Sequence, residues 1–385
     1  MNCYMPVRLF ACDGAVVKNA EALRAMGRRA FIVCSASAAK NSGALDDALN
    51  ALKGEEYEAQ VFDGITANPR IEDVIAAGRA AHGAGADFIL GIGGGSPMDA
   101  AKAVAVFAAN PDMSEKEFYA KAWPIEPLPI GLIGTTAGTG SEVTMVSVLT
   151  DSSGKKHSIH DERLYARAAF GDARYMLSMK AESALSCGID VIAHCVESRF
   201  SKKASALTRL YADEGVRMAI QPLERMLEGV NELTRTDFAP ALSDLADDGF
   251  LTKDDVQALY EASLLGGMAI NLTGTCFPHN MGYYLTERFH VPHGIASAAF
   301  LEDLLEFEDG ISDGFYKQTG VKKARLIKLI RACTQLKNVF ISPEELESAL
   351  PRWQNNNSVR NTLGDVTQED IRRILSKFVK GGIKL

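Results

Sequence analysis

Residues 88–106, FILGIGGGSPMDAAKAVAV, leave this chain few ways to fold. The apolar run Phe88, Ile89, Leu90 and Ile92 reads as a strand buried on both faces. Three consecutive glycines, Gly93, Gly94 and Gly95, then end it. Ser96 follows as a candidate N-cap, Pro97 suits the first helical position, and Asp99 falls in the first turn. Ala100–Val104 are small or helix-favouring and suit a helix lying close on a sheet. Strand, glycine turn and helix start make a cradle for an anion: the missing Cβ lets a ligand approach, free amides point outward, and the helix dipole favours negative charge. Tight packing alone is the competing reading of the same turn. No Lys-Ser/Thr follows the glycines, so this is not the common nucleoside-triphosphate loop, and Pro97 and Met98 break the Gly-x-Gly-x-x-Gly spacing.

The neighbouring segments place this turn in a sheet. Ala30–Cys34, Tyr57–Phe62, Phe88–Ile92 and Pro129–Ile133 read as strands, with Ala15–Met26, Ala44–Lys53 and Ile71–Gly83 as helices between them. Such alternation predicts a parallel sheet, Rossmann-like, with helices on both faces and ligands at the carboxyl ends of the strands. A second strand end, Gly134–Thr144 (GTTAGTGSEVT), offers the hydroxyls of Thr135, Thr136, Thr139 and Ser141. From about Ala181 strands stop. Ala184–Phe200, Ser205–Leu227, Lys253–Ile270, Ala324–Leu336, Pro343–Leu350 and Gln368–Val379 read as helices, and Gln354–Arg360 as a polar loop. The expected organisation is an α/β dinucleotide-binding domain over 1–180 and an all-helical metal-binding and substrate domain over 181–385.

Composition narrows the class. A length of 385 residues accommodates two cores, and 47% apolar with 23% charged residues is ordinary for a globular chain. A net charge of −8 without basic clusters argues against nucleic acid. No stretch reaches the ~20 apolar residues that span a bilayer, and MNCYMPVRLF carries no export signal. Seven scattered cysteines fit a reduced, cytoplasmic protein.

Asp190 and His194 stand one helical turn apart in GIDVIAHCVES, where a shared cation or a local hydrogen bond would each use that spacing. Three of the seven histidines crowd into TGTCFPHNMGYYLTERFHVPHGIA. His279 and His293 each follow a proline at the start of an element, and can converge with Asp190 and His194. One carboxylate with three imidazoles suits zinc or ferrous iron. Cys195 and Cys276 lack partners at ligand spacing and read as buried small residues.

Taken together, GGGSPMDAAK (93–102), PIGLIGTTAGTGSEVT (129–144), GIDVIAHCVES (188–198) and HNMGYYLTERFHVPHG (279–294), with Asn68-Pro69 upstream, resemble the iron-containing, group III alcohol dehydrogenases. The resemblance runs across both halves and is only general beyond about residue 300. It implies a dehydroquinate synthase-like fold and a metal held by Asp190, His194, His279 and His293. It implies a dinucleotide pyrophosphate on Gly94, Gly95 and Ser96, with Asp99, Thr135, Thr136 and Thr139 holding the rest and Lys156 near the nicotinamide. Many members carry a histidine where this chain has Tyr283, so a proton relay would fall to Tyr283 or His290. The Asp-Pro often found before the helical domain is missing from GDARYMLS (171–178).

After strand AFIVC, NAD-preferring relatives often have an Asp that repels a 2′-phosphate. Ser35 stands there, with Lys40 close behind, so NADP is favoured over NAD. The expected reaction is metal-assisted hydride transfer between a small, short aliphatic alcohol or aldehyde and NAD(P), with Val146 and Ile270 as apolar walls. A polyol (glycerol-type) dehydrogenase, a dehydroquinate synthase-type cyclase and a non-catalytic dinucleotide-binding module are the alternatives. A homodimer is the expected assembly.

Overall fold

The computed structural model describes residues 3–233, 240–307, 309–336 and 338–379. Its strands are β1 (Arg8–Ala11), β2 (Arg29–Cys34), β3 (Glu58–Phe62), β4 (Phe88–Gly93), β5 (Ile130–Gly134), β6 (Val146–Thr150), β7 (Lys156–His160) and β8 (Ala168–Gly171). Six form one parallel sheet in the order β1-β8-β5-β4-β2-β3, and β6 and β7 form a separate antiparallel hairpin. The four strands expected from apolar runs are all present. β1 and β8 have only four residues each, too short to register as runs, although β8 lies between β1 and β5 and is buried throughout.

Alternation along the strands splits the core into two layers. Phe31, Val33, Ile89 and Leu132 pack on one face of the sheet, and Ile32, Leu90, Ile92 and Ile133 on the other. Helix α1 (Ile71–Gly83) and helix α2 (Gly95–Ala109) cover the first face. From Ala181 onward the named elements are helical and enclose a third core. Among them are α3 (Ala181–Arg199), α4 (Ala206–Leu233), α5 (Lys253–Thr273), α6 (Phe277–Phe289), α7 (His293–Ala298) and α8 (Asn357–Asn361), of which α3, α5, α6 and α7 supply residues to the site.

Local chemistry shifts several expected boundaries. Helix α2 starts at Gly95 with Gly94 as its N-cap, so Ser96 and Pro97 are its second and third residues rather than cap and first. Gly93 turns the chain with φ 150°, a value that only glycine takes readily, and this lets winding begin two residues earlier. Pro97 still lies in the first turn, where no intrahelical amide is needed. The expected helix Ala15–Met26 is two pieces, Ala15–Lys18 and Ala20–Arg24. At the break Asn19 donates from its side chain to the Ala15 carbonyl at 2.8 Å, a local bond that competes with helical winding. The polar stretch Gln354–Arg360 contains the short helix α8, capped by the Asn356 side chain, which accepts from the Ser358 and Val359 amides.

The carboxyl edge of the sheet ends in a row of glycines: Gly93 pairs with Gly134, and Gly134 with Gly171. A Cβ at Gly134 would run into the Glu142 carboxylate, and one at Gly171 into the Tyr260 phenol. Both side chains are buried there, the Tyr260 hydroxyl donating to Glu142 Oε1 at 3.3 Å. The row thus admits a side chain of α5 right to the strand ends. Gly171→Ala is expected to destabilise the protein by about 1–3 kcal/mol through overpacking against Tyr260. Urea unfolding measures this, and a wild-type midpoint would contradict the close fit.

Candidate metal and cofactor site

A cavity of about 290 Å³ opens at the carboxyl end of the sheet, walled by α2, the β6–β7 hairpin and the helical half. Gly95, Ser96 and Thr139 line one side, and Asp190, His194, His279 and His293 the other. Helix α3 carries Asp190 and His194 one turn apart. Pro278 helps start α6 with His279 in its first turn, and Pro292 precedes His293 at the start of α7. Three segments distant in sequence therefore deliver four side chains to one place.

Ligand atoms of Asp190, His279 and His293 all lie within 4.8 Å of one another. His194 stands beside this trio, its Nε2 3.9 Å from Asp190 Oδ2 and its ring 4.8 Å from that of His279. Asp190 Oδ1 is buried with no hydrogen-bond partner, 3.7 Å from His279 Nε2. A buried carboxylate oxygen without a donor, facing imidazole nitrogens, is what a cation would satisfy. Burial pushes the pKa of His194 down to about 4 and that of His293 to about 3, with Asp190 opposing in both cases. Both imidazoles are neutral at pH 7, the form that ligates. Asp190, His279 and His293 fit one divalent cation, with His194 adjacent.

Glu197, absent from the sequence reading, stands on the same helical face three residues beyond His194. It is fully buried, and its Oε1 lies 2.7 Å from His279 Nδ1. The i, i+4, i+7 spacing of Asp190, His194 and Glu197 on one face was the available signal.

The two glycine loops press on each other. A Cβ at Gly94 would lie 3.0 Å from the Thr136 side chain, and one at Gly95 2.7 Å from that of Thr139. Gly94, Thr135 and Thr136 are not among the residues lining the cavity: Gly94 and Thr136 are half-buried, and Thr135 is buried, its amide donating to the Gly93 carbonyl at 2.9 Å. Asp99 lines the cavity, but its carboxylate holds protein groups: Oδ1 accepts from Ser141 Oγ at 2.6 Å and Oδ2 from the Val148 amide at 2.9 Å.

Lys102, by sequence only a helix former, is completely buried. Its ammonium donates to the Ser141 carbonyl and hydroxyl at 2.8 and 2.7 Å, to Thr144 Oγ1 at 3.1 Å and to the Val146 carbonyl at 2.8 Å. One cation behind the wall thus fixes the second glycine loop and the start of the hairpin to α2. A lysine one turn from Asp99, on a helix otherwise apolar around it, was the clue.

Lys156 reaches in from β7, its Nζ 5.1 Å from the Tyr283 ring centre, and that ring stacks on His293 at 5.4 Å and 15°. Val146 and Ile270 line the cavity. His290 does not. It is the exposed C-cap of α6, held at φ 57°. Ser35 and Lys40 also lie outside the cavity lining, beyond the end of β2, where Ser35 bridges to Gly64 and Lys40 Nζ is 4.0 Å from Asp63.

Residues 6–173 match the family model described as iron-containing alcohol dehydrogenase, and residues 184–324 match that of the C-terminal part of the Fe-containing alcohol dehydrogenase family. The chain belongs to the iron-containing alcohol dehydrogenase family. A crystal structure of an iron-containing alcohol dehydrogenase from Thermotoga maritima is 32% identical, with 98% of each chain covered and a TM-score of 0.85. A 1,3-propanediol dehydrogenase of Citrobacter freundii is 30% identical over 73% of this chain and 68% of its own. A 1-propanol dehydrogenase of Salmonella typhimurium is 28% identical over 86% of this chain and 79% of its own. The chain is therefore an alcohol or aldehyde oxidoreductase of this family, with the sheet and helical region that its relatives share. No helix among the described residues is long and apolar enough to cross a membrane.

In this alcohol dehydrogenase, Lys102→Met is expected to cost about 1–3 kcal/mol at neutral pH by stranding buried acceptors. Burial pushes the Lys102 pKa down to about 8, against an ordinary 10.5. Below pH 8 folded and unfolded chains both hold the proton. Between about pH 8 and 10.5 the folded chain sheds it first, so this group's contribution to stability rises with pH. The stability difference between wild type and variant should therefore widen from about pH 7 to 9.5. Urea titrations at both values measure it, and an equal difference would contradict the shift.

Proposed function

We propose that this protein interconverts short aliphatic primary alcohols and their aldehydes, using a nicotinamide dinucleotide and one divalent cation held by Asp190, His194, His279 and His293. The observation that carries the reading is the single cavity with the glycine-turn helix start on one wall and the carboxylate–imidazole cluster on the other. When bound, the cation supplies a Lewis acid for the alcohol or carbonyl oxygen, and the nicotinamide accepts or donates hydride. Three imidazoles and a carboxylate suit ferrous iron or zinc.

The chain's own groups do the positioning. Backbone amides at the start of α2, with Gly95 and Ser96 facing the cavity, receive the pyrophosphate at the positive end of the helix dipole. Thr139 adds a hydroxyl from the opposite loop. Lys156 and Tyr283 close the nicotinamide end, and Val146 and Ile270 offer apolar surface to a short carbon chain, which the propanol and propanediol relatives also favour as a substrate size. Burial, with Asp190 and Glu197 nearby, holds the Tyr283 phenol far above its ordinary pKa. Tyr283 accordingly serves as a wall and hydrogen-bond donor, and His290, on the exposed helix end, takes no part.

At the adenosine end Ser35 puts no carboxylate against a 2′-phosphate, and Lys40 can meet one, which favours NADP(H). Asp63 competes for that lysine. Ser35→Asp should lower the NADPH:NADH ratio of kcat/KM by about tenfold; steady-state assays with each cofactor measure it, and an unchanged ratio would sink the reading of this turn.

The deciding experiment strips the protein of metal and refills it anaerobically with ferrous iron or zinc. NADPH or NADH is then offered with propanal, butanal and related aldehydes. Metal-dependent consumption is expected, with His279→Ala and His293→Ala losing both retained metal and turnover while still binding dinucleotide. Consumption that is indifferent to metal, or wild-type turnover in either variant, would overturn the four-ligand reading.

A further inference from the structure

Glu197 spends each oxygen on the same short segment. Oε1 pairs with His279 Nδ1 at 2.7 Å, while Oε2 accepts the Cys276 amide at 2.7 Å and the His279 amide at 3.4 Å. Cys276 is the N-cap of α6, and its own side chain gives no capping bond. The carboxylate therefore replaces the missing cap, supplies negative charge at the positive end of the helix, and grips the imidazole of that helix's first turn. It reaches across from α3, the helix that carries Asp190 and His194.

We propose that Glu197 is the positioning residue of the metal centre: it locks His279 with Nδ1 turned to the carboxylate and Nε2 turned to Asp190, and sets the distance between α3 and α6 at which the ligands converge. The inference rests on the metal reading above. Two oxygens that both accept explain why a carboxylate is needed. The amide nitrogen of a glutamine would face either two backbone N–H groups or the imidazole N–H, and one side of the clamp would always fail. With the clamp broken, His279 is free to turn, and outer partners of this kind matter to metal affinity by about 10–100-fold.

The test is Zn²⁺ affinity by chelator competition on the full-length protein, with far-UV circular dichroism and NADPH binding as controls. Glu197→Gln is expected to keep its fold and its NADPH affinity within about threefold, and to bind Zn²⁺ about 10–100-fold more weakly. Loss of a merely structural contact would not fall selectively on the metal. Should the glutamine variant fail to fold, Glu197→Asp keeps the charge on a stem too short to hold amides and imidazole together, and the same selective weakening is expected. Wild-type Zn²⁺ affinity in a folded variant overturns the proposal. Wild-type protein that takes up no Zn²⁺ or Fe²⁺ would instead strike the metal reading beneath it.

Discussion

Backbone against backbone, without side chains between, sets the distance from the two glycine loops to the carboxylate–imidazole cluster. A Cβ at Gly140 would fall 2.4 Å from the Ser263 carbonyl, and one at Gly267 2.5 Å from the Gly140 carbonyl, so the second glycine loop lies directly on α5. Gly138 meets α3 in the same way at Cys187, and a Cβ on Gly294 would collide with the Ser186 carbonyl. These residues lie within one turn of Asp190 and next to His293. Hydride transfer demands reacting atoms about 3–3.5 Å apart. A methyl group at Gly140, Gly267 or Gly294 would push the two walls of the cavity apart by about 1 Å, enough to spoil such an approach.

Close approach of this kind leaves the polar groups in and behind this wall to satisfy one another. Lys102, Asp99, Ser141 and Thr144 do so almost completely, and they tie α2, the second loop and the hairpin into one unit. Glu142 is the exception. Burial raises its pKa to about 7, and Oε2 has no hydrogen-bond partner while Oε1 receives only the Tyr260 hydroxyl. The glycines at 134 and 171 make space for that acid–phenol pair, so the strain of a buried acid and the freedom of the strand ends are two sides of one packing solution.

Much of this was legible in the chain. Short apolar runs located β2 to β5, with glycines marking the ends of β4 and β5, and the His279 and His293 junctions announced themselves by proline and by the scarcity of histidine. What escaped had a physical cause in each case. β1 and β8 are four residues long, and β8 draws its burial from neighbours rather than from its own Ala168-Ala169-Phe170-Gly171. Lys102 and Glu197 are charged residues whose partners lie 39 and 79 residues away, and neither periodicity nor local spacing can pair them. His290 shows the converse. Nearness in sequence to two ligands suggested chemistry, but a left-handed helix cap turns it to solvent.

The metal cluster also explains why short, independent segments can carry its ligands. Helices α6 and α7 are not rigid by length; α7 has six residues. Their starts are held by Pro278 and Pro292, by the Glu197 clamp and by the stack of Tyr283 on His293. Without a cation, Asp190 Oδ1 is a buried acceptor without a donor, a cost of about 1–3 kcal/mol at the meeting point of all three helices. A divalent ion held by Asp190, His279 and His293 would satisfy that oxygen and link α3, α6 and α7, so metal affinity and the packing of this corner would be coupled.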